Sequence, residues 1–93
     1  MTVGIRIKLP GLDQATFDQV NFHVDPAGDP PQGLRYHASG PVEGGWGVID
    51  FWDSREEFDA FAPRIQAGVE AAGAELAGPP DIKQFEVHET YPA

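Results

Sequence analysis

Apolar and polar residues alternate without interruption through TVGIRIKL, residues 2–9. Val3, Ile5, Ile7 and Leu9 fall on one face, and Gly4, Arg6 and Lys8 on the other. A period of two marks a strand, here with one wholly apolar face, and Pro10-Gly11 stops it. The period then changes. Asp13 is a suitable N-cap, and Phe17, Val20 and Val24 follow the three-to-four spacing of a helix over about 14–24. The next segment, DPAGDPPQG over residues 25–33, holds three prolines and two glycines and can only be a loop. It would serve as a plain connector or as a lid. Alternation returns from Leu34 to Ser39, with Leu34, Tyr36 and Ala38 set against Arg35, His37 and Ser39. GPVEGG, residues 40–45, reads as a hairpin-type connection.

That connection leads into the stretch that organises the chain, GGWGVIDFWDSREEFDAF over residues 44–61. It runs as a strand that is apolar on both faces: Trp46, Val48 and Trp52 on one side, Ile49 and Phe51 on the other. The strand breaks at Asp53. Ser54 followed three residues later by Glu57 is a capping box, which satisfies free N–H groups of a first helical turn. Phe58, Phe61, Ile65 and Val69 then form one helical stripe, with Pro63 inside it. Proline lacks the N–H and clashes with the preceding turn, so the pattern predicts a kink or a restart there. Gly73 and Gly78-Pro79-Pro80 end the helical region. A last strand over 82–90 sets Phe85 and Val87 against Gln84, Glu86 and His88.

Strand, helix, strand, strand, helix, strand is the order of a ferredoxin-like α+β domain, here spanning residues 1–93. Right-handed crossovers turn it into a four-stranded antiparallel sheet of order 4-1-3-2 with both helices on one face. Under the helices we place the rows Val3/Ile5/Ile7/Leu9, Leu34/Tyr36/Ala38, Ile49/Phe51 and Phe85/Val87. The open side then carries Arg6, Lys8, Arg35, His37, Glu86 and His88 together with Trp46, Val48, Asp50 and Trp52. Two indoles and a valine would expose on the order of several hundred Å² of apolar surface, near the limit a monomer tolerates. Two sheets packed face to face in a homodimer would bury it, leaving the charged residues to line the ends or a small cavity between the sheets.

Composition sharpens this expectation. A chain of 93 residues buries roughly 60–65% of its unfolded surface, so its core is thin and a partner subunit helps. Six basic against fifteen acidic residues give a net charge of −9. This argues against nucleic acid, whose phosphates need clustered Lys and Arg, and equally against anionic membranes; its plain meaning is solubility. The absence of cysteine excludes disulfides, thiolate metal sites and cysteine nucleophiles. No apolar run approaches the ~20 residues of a membrane span, and the N-terminus has a strand pattern where a signal peptide would be apolar. The expected location is cytoplasmic.

GLRYHASGP, then GGWGVIDFWDSREEFDAF, then FEVHETY resembles the small dimeric α+β-barrel proteins. That superfamily includes antibiotic-biosynthesis monooxygenase-like domains, haem-degrading monooxygenases and stress-responsive barrel proteins. The resemblance lies in a strand ending in Trp, an acidic residue, and Ser opening a helix with Phe four residues on. It implies a dimeric barrel and either cofactor-free oxygenation, haem breakdown, isomerisation or cyclisation, or no catalysis. The haem-degrading branch would bring a strand-1 asparagine, a helix-2 tryptophan and a helix-2 histidine. This chain has Gly4 or Ile5, Phe61 and about Ala71 at those places, so haem is not expected, and no bound cofactor is.

Three histidines remain for chemistry: His23, His37 and His88. A histidine near neutral pKa suits a general base, and His37 shares a face with Asp50 and the tryptophans in the assignment above. Asp50 interrupts an apolar row and must be paired or see water; Arg6 on the neighbouring strand is its expected partner. In the functional reading Arg6, His37 and Asp50 orient and deprotonate a small aromatic or β-dicarbonyl ligand, walled by Trp46, Trp52, Val48 and His88. In the structural reading Arg6 and Asp50 form an interface ion pair and His37 is solvated. A metal held by His37 and His88 lacks supporting spacing. No phosphate loop, dinucleotide fingerprint or serine elbow occurs. A small-molecule-binding dimer, enzymatic or not, is thus set against a non-catalytic assembly protein with a filled interior. A cavity of roughly 300 Å³ or more reached by His37 would favour the first.

Overall fold

Six elements follow the expected order in the computed structural model, which describes residues 2–92. They are β1 (Val3–Pro10), α1 (Gln14–Val24), β2 (Leu34–Val42), β3 (Gly45–Trp52), α2 (Arg55–Ala71) and β4 (Asp81–Glu86). The strands pair antiparallel in the order β2-β3-β1-β4, the arrangement anticipated above viewed from the other edge. The fold is ferredoxin-like α+β.

Local chemistry accounts for the boundaries. The Asp13 carboxylate accepts the Thr16 N–H at 2.8 Å, and α1 ends where Asp25 turns left-handed at φ 52°. Ser54 Oγ accepts the Glu57 N–H at 3.3 Å and donates to Glu57 Oε1 at 3.0 Å, so this capping box closes through the hydroxyl. α2 continues unbroken through Pro63, against the expected restart. Pro63 and Asp59, whose carbonyl loses its helical partner there, are both exposed, so water can serve that carbonyl. The hairpin is tighter than the sequence suggested. β2 runs on to Val42, opposite Gly45, leaving only Glu43-Gly44 as the turn, with Gly44 at φ 80°. Pro41 is tolerated within β2 because that strand is an edge.

Both helices cover one face of the sheet, and of the four rows assigned to that face two are wrong and the β2 row is right only at Leu34. β1 sends Val3, Ile5, Ile7 and Leu9 inward as expected. Pairing fixes its neighbours, because residues directly opposite in an antiparallel pair share a face. Trp52, Asp50, Val48 and Trp46 stand opposite Val3, Ile5, Ile7 and Leu9, so this row of β3 is the buried one. Ile49 and Phe51 face the open side. β4 follows the same rule: Phe85 lies opposite Gly4, on the open side. In β2 a register shift between Leu34 and Tyr36 reverses the alternation. Leu34 and His37 therefore both face the helices, while Tyr36 and Ala38 turn outward. A strand apolar on both faces has no pattern from which to read its inward row, and a one-residue bulge inverts every assignment beyond it.

Trp46 stacks on Phe17 of α1 at 5.3 Å, and Trp52 packs against Phe58 and Phe61 of α2 at 5.8 and 5.4 Å. Neither indole belongs to an exposed patch. The open face carries a different aromatic row, Tyr36–Phe51–Phe85, with ring centroids 6.3 and 6.4 Å apart. The Phe85 ring lies over Gly4, where a Cβ would come within 2.5 Å of it.

The helices meet at Gly68, which is buried; a Cβ there would lie 2.5 Å from Val24 Cγ2 and 3.2 Å from the Val20 carbonyl oxygen. Alanine gains about 1 kcal/mol of helix propensity, but the backbone oxygen cannot swing aside as a side chain can, and overpacking costs about 1–3 kcal/mol. Gly68→Ala is expected to be net destabilising by about 1 kcal/mol, read as a lower urea midpoint at unchanged slope.

Candidate active site

The two adjacent strands β2 and β3 bring His37 and Asp50 directly opposite one another. His37 Nδ1 lies 2.6 Å from Asp50 Oδ1. The aspartate is 3% exposed, while His37 is an exposed residue of the edge strand with about one-third of its side chain in solvent. A carboxylate so deep in a sheet requires a donor, and the imidazole provides it. The hydrogen bond to Asp50 raises the His37 pKa above the ordinary 6.5, with the carboxylate's charge adding to it and partial burial opposing it. With Nδ1–H donating to Asp50, neutral His37 keeps Nε2 as its free basic nitrogen.

This pair forms one wall of a cavity between sheet and helices. Ile7, Leu9 and Val48 come from the sheet, Phe17, Val20 and Asn21 from α1, Phe61 and Ile65 from α2, and Pro26 and Leu34 from the connecting loop and the start of β2. Only Asn21, His37 and Asp50 are polar. The volume is about 60 Å³. A second hollow of about 170 Å³, lined by Pro31, Gln32, Glu57, Ala60, Phe61 and Arg64, shares Phe61 with it. Neither reaches the ~300 Å³ that begins the usual range for small-molecule sites.

The residues singled out from the sequence divide sharply. His37, Asp50 and Val48 share this cavity. Arg6 does not: it is exposed on the open face, opposite Ile49 and Lys83, with the sheet between it and Asp50. The anticipated Arg6–Asp50 pair is replaced by His37–Asp50. Trp46 and Trp52 are core residues beneath the helices, not walls of a gap between two sheets. His88 lies beyond β4, which ends at Glu86 and not at residue 90, and it is exposed. Among the described residues no cluster of three His, Asp or Glu side chains is placed to hold a metal. Asn21 escaped the sequence reading, since a polar residue at a helix end carries no signal until the loop beside it folds over a cavity.

Known structures share this framework. A Caulobacter crescentus protein described as a candidate antibiotic biosynthesis monooxygenase superposes with a TM-score of 0.74 at 19% identity, covering 95% of this chain and 91% of that one. This chain has the fold of the antibiotic biosynthesis monooxygenase-like proteins. A dimeric ferredoxin-like protein of unknown function from Thermobifida fusca gives 0.66 at 17% identity, over 94% and 92% of the two chains. SnoaB of Streptomyces nogalater, a cofactor-independent oxygenase, gives 0.64 at 16% identity, over 99% and 96%. No protein-family profile matches the chain, and no curated protein matches its sequence. Likeness at these identities is one of fold.

Proposed function

We propose that this protein binds a small, largely apolar organic molecule beneath its helices and removes a proton from it with His37. The observation that carries the reading is the 2.6 Å contact of His37 with a buried Asp50 on the wall of an otherwise apolar cavity. Asp50 holds the imidazole by Nδ1 and stabilises the imidazolium that forms; Nε2 takes the proton. A phenol or a β-dicarbonyl carbon acid suits the lining chemically, having an apolar body and one acidic hydrogen. A ring needs more room than the resting volume of about 60 Å³, so a wall must give way to admit it. The resulting phenolate or enolate would either react with dissolved dioxygen, as in a cofactor-independent oxygenase, or rearrange, as in a cyclase or isomerase. SnoaB supports the first by shared fold. The test is oxygen uptake and product formation across a panel of phenols and 1,3-diketones, with His37→Gln as control. A panel on which both proteins are equally inert removes the enzymatic reading.

The small cavity favours a second reading, a non-catalytic dimeric protein in which His37–Asp50 is a structural pair. The readings share one assembly. The open face exposes Tyr36 by 60% and Phe85 by 51%, flanking Phe51, and it is bordered by Arg6, Lys8 and Lys83. A second copy packed on that face would bury the aromatic row, and the Thermobifida protein, described as dimeric, shares the fold. At micromolar concentration light scattering is expected to give about twice the 10.1 kDa chain mass. Phe85→Glu should weaken the dimer by at least about tenfold, since a carboxylate would be desolvated in the interface. A wild-type particle of single-chain mass would remove the dimer.

A further inference from the structure

Resting on the pocket reading above, we propose that Arg64 determines how large a ligand the His37–Asp50 pocket admits, by clasping the 25–33 loop over it. A cavity of roughly 150 Å³ accommodates a benzene ring in an apolar protein interior; the pocket here, at about 60 Å³, is too small for one. Admission of any aromatic ligand therefore requires a wall to move. Pro26 of the loop is one wall, and Pro31 and Gln32 of the same loop roof the second hollow, so the loop bridges two unfilled spaces. Phe61 lines both.

One side chain ties these parts together. Arg64 Nη2 donates to the Val24 carbonyl at 2.7 Å and to the Asp29 carbonyl at 3.1 Å, lies 3.6 Å from the Asp29 carboxylate, and sets its guanidinium over the Phe61 ring at 5.0 Å. Within the loop, Asp29 N–H bonds Asp25, Gly28 N–H bonds the Asp25 side chain and Leu34 N–H bonds Pro31. The Asp53 N–H anchors the loop's far end at the Gly33 carbonyl at 2.8 Å. Between that anchor and Val24, among the described residues, Arg64 alone hydrogen-bonds the loop from an element that does not adjoin it. Releasing it loosens the loop between Val24 and Gly33 and removes the cation from the face of Phe61, letting the pocket widen toward the 170 Å³ hollow. Arg64 thus acts on specificity through position, without touching the reacting atoms.

The experiment compares wild type, Arg64→Lys and Arg64→Met by amide hydrogen exchange and by binding of phenol and 2-naphthol. In Arg64→Met the Asp29 and Leu34 amides are expected to exchange at least tenfold faster while Ile5 and Ile7 stay unchanged. The naphthol-to-phenol ratio of dissociation constants is expected to fall at least tenfold, with Arg64→Lys intermediate because it keeps the charge but not the fork. Unchanged loop exchange overturns the clasp, and equal acceleration at Ile5 and Ile7 reduces it to general stability. A constant ratio with both probes bound overturns the size role alone. Failure of both probes to bind wild type and Arg64→Met alike, or binding indifferent to His37→Gln, overturns the pocket reading itself and is told apart by that control.

Discussion

Replacing His37 with glutamine is expected to lower turnover of a phenolic or β-dicarbonyl substrate by about 10²–10⁴-fold, the usual worth of a positioned general base. Glutamine keeps a donor for Asp50, so the buried carboxylate is not stranded and the variant should fold; alanine would confound chemistry with a desolvated charge. Wild-type activity should carry its own signature. The Asp50 hydrogen bond raises the His37 pKa above 6.5, and only neutral His37 is a base. The rate is therefore expected to rise with pH through a midpoint above 6.5, and His37→Gln should abolish that limb. Stability should run the opposite way. A group whose folded pKa is raised contributes fully below its unfolded value of about 6.5, and that contribution is lost as pH climbs through the folded value. Between those two pH values the protein gains activity while losing stability. A profile with its midpoint at or below 6.5 would contradict the Asp50 contact as the controlling interaction.

The elements were legible because their signals are local. Period-two alternation located β1, the Asp13 and Ser54 caps located both helix starts, and the loop over 25–33 followed from its prolines. The order of those elements then constrained the sheet. The inward face was not legible beyond β1. Trp46/Val48/Trp52 and Ile49/Phe51 are equally apolar rows, so composition cannot choose between them, and only pairing with β1 does. In β2, the shift between Leu34 and Tyr36 puts two residues on the same face where alternation demands opposite ones.

The candidate site is legible in part, for a physical reason. Alternation puts His37 and Asp50 on one face, and the true register keeps them together while turning that face toward the helices. Arg6 lies on β1, whose alternation reads correctly, and so stands on the opposite face from them. What the sequence did contain was the improbability of an unpaired aspartate in a central strand. That constraint holds whichever way the strand faces, and it is met by the nearest available donor across the ladder.

Trp52→Ala is the sharpest test of the reversed face. Trp52 has no exposed surface and packs its indole against Phe58 and Phe61. Truncating such a side chain removes its transfer free energy and leaves a cavity, at a cost of about 3–5 kcal/mol. Small domains have about 5–15 kcal/mol in total, so the variant should be largely destabilised, with a much lower urea midpoint at matched protein concentration. Trp52→Phe is expected to cost clearly less, because it deletes fewer buried atoms and leaves a smaller cavity. It keeps most of the ring and removes an indole N–H that has no hydrogen-bond partner among the described residues, and leaving such a donor buried costs about 1–3 kcal/mol. The alanine-to-phenylalanine contrast separates a core residue from a ligand wall. A wall bordering an open gap between two sheets would lose binding on truncation but little stability. Trp52→Ala within about 1 kcal/mol of wild type would return the tryptophan row to the open face and move the His37–Asp50 pocket with it, since both stand on the same side of β3.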